Sequence, residues 1–228
     1  MRNHARLIAV LTFFLFNLAQ AEGLYLTGGE IARNASYLYV GHIGSLKHDK
    51  LQAGPAYRVW ADQAKYQYSS NGVTHKATAR SIEAGLGSLF QGNPMSGSGF
   101  ISLVGRNTVI SPDDWASDAR GGAITAKIQG DLVYAISNYY SSNLSASYVA
   151  LNNSYWARLR VMRALPSSRS AGIEIIHQGD SSYSLSQIGG VISALKLGSV
   201  DMTLKAGARK VRGESTSPYA GVELGANF

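Results

Sequence analysis

Histidine and serine are the residue types in this chain that could act as metal ligands or catalytic groups, and their spacing favours neither role. Beyond residue 21 the histidines are His42, His48, His75 and His177. They form no H-x-x-x-H or H-E-x-x-H motif, and the serines form no G-x-S-x-G elbow. His177 stands near Ser181 and Ser182, but in a serine-rich chain such neighbours are expected by chance. We therefore interpret His177 as a polar residue near a strand end and predict that the protein is not an enzyme.

The aspartate spacing and the absence of cysteine limit the kinds of metal site that the chain could form. Asp113, Asp114 and Asp118 could offer oxygen ligands to calcium, but the segment lacks the glycine and the terminal glutamate of an EF-hand loop. We interpret it as a solvated acidic loop. The chain contains no cysteine, which excludes thiolate metal sites, cysteine nucleophiles and disulfide bonds. The sequence thus predicts no metal site and no cofactor.

Two arginines separated by a single residue indicate a different kind of site. If Tyr155–Met162 is a strand, Trp156, Arg158 and Arg160 share one face and mainly apolar residues occupy the other. An arginine facing lipid near the midplane of a membrane would cost about 2–4 kcal/mol, so in a membrane barrel this polar face points into the lumen. The same alternation in 124–132 and 200–208 places further charged residues inside.

The residues assigned to the lumen in this way form a candidate polar network. It comprises Lys127, Asp131, Trp156, Arg158, Arg160, Glu174, Asp201, Lys205 and Glu223. Charges of opposite sign in a narrow lumen satisfy one another first, which favours a structural network that plugs the barrel. The alternative is a polar path or a carbohydrate-facing surface, in which Trp156 offers its ring to a sugar and the carboxylates accept hydrogen bonds from hydroxyl groups.

The elements that must position this network are alternating segments of about ten residues separated by turn residues. The last segment, Tyr219–Phe228, alternates apolar with small or polar residues and stops on an aromatic residue, as outer-membrane barrel strands do. The predicted strands are 23–29, 36–46, 54–68, 74–90, 97–110, 122–136, 143–151, 155–165, 171–177, 185–195, 200–211 and 219–228. They predict an all-β fold, an antiparallel transmembrane β-barrel of about 12 strands, with 10 as the alternative count and both termini in the periplasm.

The amino terminus predicts export. Residues 1–21 contain two arginines, an apolar run from Leu7 to Phe16 and the sequence Ala19-Gln20-Ala21, which are the three parts of a cleavable signal peptide. The run is shorter than the roughly 20 apolar residues of a membrane-spanning helix, which disfavours an uncleaved anchor. We expect a signal peptide at 1–21 and one barrel domain at 22–228, in contact with the lipid of a Gram-negative outer membrane. Although the net charge is +7, no basic run or stacking motif indicates nucleic-acid binding.

Loops and strand ends give three further expectations. The longest connection, Ser111–Gly122, is expected on the outer side of the membrane. Lys76 and Arg80 share a face with Ile82, which indicates either a bulge near Ser81 or a strand that extends above the membrane, and we favour the extension. Aromatic residues near strand ends are expected in girdles at the membrane surfaces: Tyr37, Tyr39, Tyr66, Tyr68, Trp115, Tyr134, Tyr139, Tyr140 and Tyr183.

Short motifs spread over nearly the whole chain are shared with one protein family. They are Thr27-Gly-Gly-Glu30, 37–46, 54–60, Tyr66-Gln-Tyr68, Ser111-Pro-Asp-Asp114, 122–127, Ser154-Tyr-Trp-Ala-Arg-Leu-Arg160, Ala171-Gly-Ile-Glu174 and 187–191. The Tyr-Trp-Ala-Arg-x-Arg segment is the most specific of them. Through these motifs the chain resembles the cellulose biosynthesis protein BcsS family, although 88–90 and 209–212 match no family feature.

The resemblance implies a function that composition alone does not indicate. It implies an outer-membrane barrel that assists the production of bacterial cellulose, a biofilm exopolysaccharide, without being an enzyme. Its partners would be the cellulose synthase and export machinery or the polysaccharide itself. The resemblance supplies no catalytic residues to carry over. A general small-solute channel and, less favoured, a lipid-modifying barrel enzyme are the alternatives.

Overall fold

The polypeptide forms a meander of antiparallel strands that closes on itself. The computed structural model describes residues 23–47 and 51–227, so the predicted signal peptide, His48 and Phe228 lie outside the described residues. The strands are β1 (Leu24–Ala32), β2 (Ala35–Ser45), β3 (Gly54–Ser70), β4 (Val73–Gln91), β5 (Met95–Ser111), β6 (Gly121–Ala135), β7 (Tyr140–Val149), β8 (Ser154–Ala164), β9 (Ser170–Gly179), β10 (Ser184–Leu197), β11 (Val200–Val211) and β12 (Ser217–Asn227). Each strand pairs with its sequence neighbours, and β1 pairs with β12. The prediction of a 12-strand antiparallel barrel is confirmed.

Helical structure in the described ranges is limited to one short 3₁₀ turn. It spans Leu151–Asn153 between β7 and β8, and Asn152 and Asn153 have positive φ angles within it. No helix in residues 23–47 and 51–227 is long and apolar enough to cross a membrane.

The outward face of the barrel is apolar over a broad band. Ile101 is 70% exposed and Ile124 is 82% exposed, and Ile82, Leu86 and Leu103 are similarly uncovered. Such a continuous apolar surface is unfavourable in water and is typical of a strand face that contacts lipid. The backbone groups of the strands are satisfied by pairing around the closed ring, as a membrane interior demands.

Strands β3, β4 and β5 are longer than a membrane requires. β4 has 19 residues, and at about 3.4 Å per residue it is roughly 65 Å long, well beyond an apolar band about 25 Å tall even with a tilt of about 40°. Its register with β3 and β5 runs without a shift past Ser81, so the structure contains no bulge there. Lys76 and Arg80 therefore share the outward face of Ile82, and the length of β4 favours the interpretation that its first part extends beyond the lipid.

One register shift occurs in β10. The pairing of β10 with β11 shifts between Ile192 and Leu195, where Ala194 adopts a positive φ of 58°. The shift brings Lys196 opposite Asp201 near the β10–β11 turn. It changes which residues face one another at that end of the barrel.

A small apolar core fills the interior at the end opposite the long β5–β6 loop. Ile43, Ala56 and Phe100 are buried there, near the β2–β3 and β4–β5 turns. Four partly buried residues pack against them: Leu24, Leu26, Leu51 and Leu89.

Candidate functional site

An arginine and two glutamates occupy the middle of the barrel interior. Arg160 of β8 donates from Nε to Glu174 of β9 over 2.6 Å. It donates from Nη1 and Nη2 to the two carboxylate oxygens of Glu223 in β12 over 3.0 and 2.7 Å. Because β8 and β12 are not neighbouring strands, this second contact crosses the interior. The three side chains therefore face the lumen.

A lysine joins the same carboxylates to a third one. Lys205 Nζ in β11 lies 3.0 Å from Glu30 Oε2 in β1, 3.4 Å from Glu223 Oε1 and 3.6 Å from Glu174 Oε1. Gln187 Nε2 donates to the other oxygen of Glu30 over 2.5 Å. Glu30 is thereby held from two sides. Together with Arg160, these charges link five strands: β1, β8, β9, β11 and β12.

Arg158 lies at the edge of this group with looser contacts. Its Nη1 is 3.4 Å from Glu223 Oε1, and its Nη2 donates to Asn143 Oδ1 and Ser145 Oγ over 3.5 and 3.4 Å. The guanidinium carbon stands 5.4 Å from the ring centre of Trp156. We call the six charged residues together the large ion cluster: Glu30, Arg158, Arg160, Glu174, Lys205 and Glu223.

A second set of ion pairs lies on β3, β4 and β6. Glu83 Oε1 is 3.0 Å from Arg58 Nε, and Glu83 Oε2 accepts a 2.8 Å hydrogen bond from Lys127 Nζ. Ser102 Oγ donates to Glu83 Oε1 over 2.8 Å. Because β5 separates β4 from β6, these contacts pass over the inner surface of β5. Arg58, Glu83 and Lys127 form the small ion cluster.

Two aromatic rings connect the clusters. The rings of Tyr39 and Trp60 stack with a centroid distance of 4.8 Å and an interplanar angle of 12°. The guanidinium carbon of Arg58 lies 4.3 Å from the Trp60 ring centre. Tyr39 pairs with Gly28, which pairs in turn with Glu223. This aromatic bridge, Tyr39 and Trp60, places the small cluster and the large cluster along one continuous inner surface.

The large cluster is charge-balanced, and both clusters are shielded from water. The large cluster contains three cations and three carboxylates, and beside the small cluster Asp62 accepts a 2.6 Å hydrogen bond from Ser81. Glu174 is 0% exposed, Arg58 3% and Glu83 5%. Charges that line an open aqueous pore remain in contact with water, whereas buried charges need partners of opposite sign. At the level of the clusters the interior is therefore filled by mutually paired side chains.

The structure brings six of the nine sequence-predicted lumenal residues into the two ion clusters. They are Lys127, Arg158, Arg160, Glu174, Lys205 and Glu223. Trp156 lies beside Arg158, and Asp131 accepts hydrogen bonds from Ser98 and Gln129. Asp201 lies apart from the clusters. It pairs with Lys196 at 2.8 Å, and both side chains are about half exposed, because the β10 register shift places them together at a turn.

Sequence reasoning missed three members of the clusters. Arg58 and Glu83 share strand faces with inward residues, so the alternation of β3 and β4 could have identified them. Glu30 lies in β1, whose predicted strand ended at residue 29. Parity could therefore have placed all three on inward faces, whereas local spacing carries no signal for their partners, which lie on other strands.

The girdle prediction is wrong for four tyrosines. Tyr37 and Tyr39 pair with Glu30 and Gly28 of β1, and paired residues share a face, so both point into the lumen. Tyr66 and Tyr68 share the face of Arg58 and also point inward. The prediction used only their position near strand ends, whereas the parity of a residue along its strand decides its face.

His75 takes part in polar contacts near the end of the barrel that bears the long loop. His75 Nδ1 lies 2.8 Å from the carbonyl oxygen of Pro112, and its ring stacks on Tyr68 at 5.2 Å. Tyr68 donates its hydroxyl to Asp114 Oδ2 over 2.9 Å. These contacts anchor the start of the long loop to the β3–β4 hairpin. Asp113 pairs with Arg120 within the same loop.

His177 lies on the outward face and has partners other than those considered from sequence. Its Nε2 is 3.1 Å from the Tyr155 hydroxyl and its Nδ1 is 3.0 Å from Ser186 Oγ. Ser182 instead donates to Asp180. No carboxylate contacts this imidazole among the hydrogen bonds of the described residues, and a serine–histidine pair without such a group lacks the usual orienting partner. No group of three or more metal-binding side chains occurs within residues 23–47 and 51–227.

Solved structures with the same fold are bacterial barrels. The chain is similar to the KdgM porin, with 9% identity and a TM-score of 0.51 over 90% of this chain and 99% of that one. It is similar to the translocator domain of the autotransporter NalP from Neisseria meningitidis, with 12% identity and a TM-score of 0.53 over 100% and 98%. The β domain of the Bordetella autotransporter BrkA gives 9% identity and a TM-score of 0.53 over 91% and 100%. At these identities the likeness shows the fold alone, which resembles that of outer-membrane proteins.

Sequence comparison identifies the family. None of the curated proteins matches the chain. The family model for the cellulose biosynthesis protein BcsS, by contrast, matches residues 24–228, which include every strand of the barrel. The chain therefore belongs to the cellulose biosynthesis protein BcsS family.

Proposed function

We propose that this protein is a non-enzymatic outer-membrane barrel that assists the synthesis or secretion of bacterial cellulose. The family match over residues 24–228 carries the proposal. The closed barrel and its exposed apolar band support a place in the outer membrane of a Gram-negative bacterium, reached by export through the signal peptide at 1–21. There the barrel acts beside the cellulose synthase and export machinery or on the polymer itself.

The packed interior favours an accessory role over that of a permanently open channel. A wide aqueous path past the large ion cluster would require Arg160 to separate from Glu174 or Glu223. Separation of the pair would leave buried charges without their partners, which is unfavourable, so the resting barrel stays closed at this level. The predicted lumenal network thus acts first as a plug.

The part of the lumen between the ion clusters and the long loop carries partly accessible aromatic side chains. Tyr37 keeps 38% of its surface accessible, and Trp156 is half-buried. Both carry aromatic rings with a polar atom at the edge, a combination that suits the apolar faces and the hydroxyl groups of a sugar. This surface, together with the long loop, is where we place contact with the polysaccharide or with a secretion partner.

Deletion of the gene in a cellulose-producing host tests the proposal. We expect extracellular cellulose, measured as glucose released by cellulase, to fall or to be misplaced on the cell surface, and the wild-type gene to restore it. The abundance of the cellulose synthase, followed by immunoblot, should not change. Unchanged cellulose output and placement after deletion would refute the accessory function.

The porin-like fold makes a small-solute channel the second candidate. Purified protein in planar bilayers should show no steady conductance if the ion clusters close the lumen. Steady conductance together with normal cellulose output in the deletion strain would replace the accessory proposal with the channel. The enzymatic alternative requires a lipid or polysaccharide product that disappears in the His177→Ala variant, and we expect no such change.

A further inference from the structure

A polar depression interrupts the membrane-facing surface where β10 begins and β11 ends. It has a volume of about 160 Å³ and is lined by Ser184, Ser186, Lys210 and Arg212. Ser186 pairs directly with Lys210 across the two strands, so their side chains emerge on the same face. Ser186, Lys210 and Arg212 are exposed, and Ser184 is half-buried.

The depression borders the apolar surface that contacts lipid. Ile188, the next residue on this face of β10, is 58% exposed, and Ile175 beside it on β9 is also uncovered. Two residues along a strand span about 7 Å, so the surface changes from isoleucine to serine and lysine within that distance. His177, which bonds Ser186 and Tyr155, lies in the same polar row. The row therefore stands at the boundary between hydrocarbon and headgroups.

The cations of the depression differ from those of the two ion clusters in having no counter-charge. Among the described residues, neither Lys210 nor Arg212 forms an ion pair, whereas Arg158, Arg160 and Lys205 inside the barrel are all paired. The Asp180 carboxylate in the nearby β9–β10 turn already accepts bonds from Ser182 and from the backbone of Tyr183. Glu214 follows in the β11–β12 turn but does not line the depression.

We propose that this depression binds a phosphate group carried by a glycolipid of the outer leaflet. A guanidinium and an ammonium group supply charge-assisted hydrogen bonds to phosphate oxygens, and two serine hydroxyls complete a set of donors. The β9–β10 and β11–β12 turns lie at the same end as the long β5–β6 loop, because every odd-to-even connection of the meander does. The choice of the outer leaflet rests on the proposed place in the outer membrane and on the expectation that the long loop lies on the outer side.

The experiment measures binding to the folded barrel in detergent micelles, independently of cellulose output. The probes are a diphosphorylated disaccharide lipid, the same lipid after removal of both phosphates, and inorganic phosphate. We expect the barrel to bind the phosphorylated lipid and the Lys210→Gln/Arg212→Gln variant to bind it about tenfold or more weakly. The Ser186→Ala variant should weaken binding to a smaller extent.

Matched variants make the result decisive. Arg163→Gln/Lys196→Gln removes two exposed cations at the opposite end of the barrel and should bind the phosphorylated lipid as the wild type does. Each variant is first shown to be folded by its heat-dependent shift in gel mobility. Equal binding of the dephosphorylated lipid, equal loss in both double variants, or inorganic phosphate binding as tightly as the lipid would each overturn the proposal. The last outcome would indicate a site for free phosphate.

Discussion

Glu174 shows how tightly the interior constrains individual side chains. Its carboxylate has no accessible surface, and its charged neighbours are Arg160 and Lys205. Arg160 also holds Glu223, so each charge of the group depends on more than one partner. A buried ion pair contributes little net stability compared with an apolar core, but the loss of a tightly held, fully buried member leaves the remaining charges unpaired and is costly.

The Glu174→Gln variant tests this dependence. It removes one negative charge from a balanced cluster and leaves Arg160 and Lys205 with excess positive charge, so we expect the free energy of unfolding to fall by about 3–5 kcal/mol. Urea unfolding in lipid vesicles, followed by tryptophan fluorescence, measures it. The control is Glu214→Gln, at an exposed position in the β11–β12 turn, which should unfold like the wild type. Equal stability of the two variants would contradict the cluster's role.

Gly41 supports the aromatic bridge because the ring of Trp60 lies directly on it. A Cβ atom at Gly41 would stand 1.8 Å from the ring, whereas a Cβ atom at Gly99 would meet nothing within 4 Å. We expect Gly41→Ala to displace Trp60 from Tyr39, to weaken the near-ultraviolet circular dichroism of the stacked rings and to destabilise the barrel by about 1–3 kcal/mol. Gly99→Ala should retain both properties. Indistinguishable spectra for the two variants would show that the stack does not depend on this glycine.

The strands show what local sequence pattern can and cannot predict. Alternation predicted all twelve strands and the inward faces of β6, β8 and β11, because a half-apolar strand in a membrane has only one way to face. Asp201 has the predicted inward parity, yet the register shift in β10 gives it Lys196 as a partner at the turn. A bulge depends on the pairing of two strands, so the sequence of either strand alone did not predict it.

The contacts of the candidate site depend on the closure of the barrel as well as on the individual strands. Arg160 reaches Glu223 over 63 positions of the chain, and Lys205 meets Glu30 only because β1 and β12 pair. The faces of these residues follow from parity, but their partners follow from the number of strands and the stagger of the barrel. This is why the sequence could place charged residues on inward faces but could not say which of them pair.

The long loop is an element whose position depends on few bonds. Tyr68→Phe removes the 2.9 Å hydrogen bond to Asp114, and we expect trypsin to cleave the folded barrel after Arg120 about fivefold faster, because one hydrogen bond is worth about 1 kcal/mol. Tyr139→Phe, at an exposed position in the β6–β7 turn, serves as the control and should not change the rate. Identical cleavage rates for both variants would show that Tyr68 does not hold the loop.

The complete barrel has two ends with different compositions. One end carries the long loop, His75 and Tyr68, and the other carries the small apolar core. The lumen between them is filled by paired charges, and the outer surface is apolar. The expected outward orientation rests on the long loop alone.

Single cysteines can report the orientation directly, because the natural chain contains none. Ala116→Cys lies in the long loop and Ser168→Cys in the β8–β9 turn at the opposite end, and both positions are exposed. A membrane-impermeant maleimide should label Ala116→Cys in intact cells and Ser168→Cys only after the outer membrane is permeabilised. The reverse labelling pattern would show that the barrel has the opposite orientation in the membrane. The phosphate site could then no longer be assigned to the outer leaflet.

The measurement that tests the account most directly is cellulose output in a deletion strain complemented with Arg158→Gln. Arg158 is the most loosely held member of the large ion cluster, with contacts of 3.4–3.5 Å, so its loss should leave folding intact while altering the lumen. Arg163→Gln changes an exposed arginine of the same strand and is the matched control. At equal amounts of folded barrel, the account predicts that Arg163→Gln restores extracellular cellulose and Arg158→Gln does not. Full restoration by Arg158→Gln would contradict it.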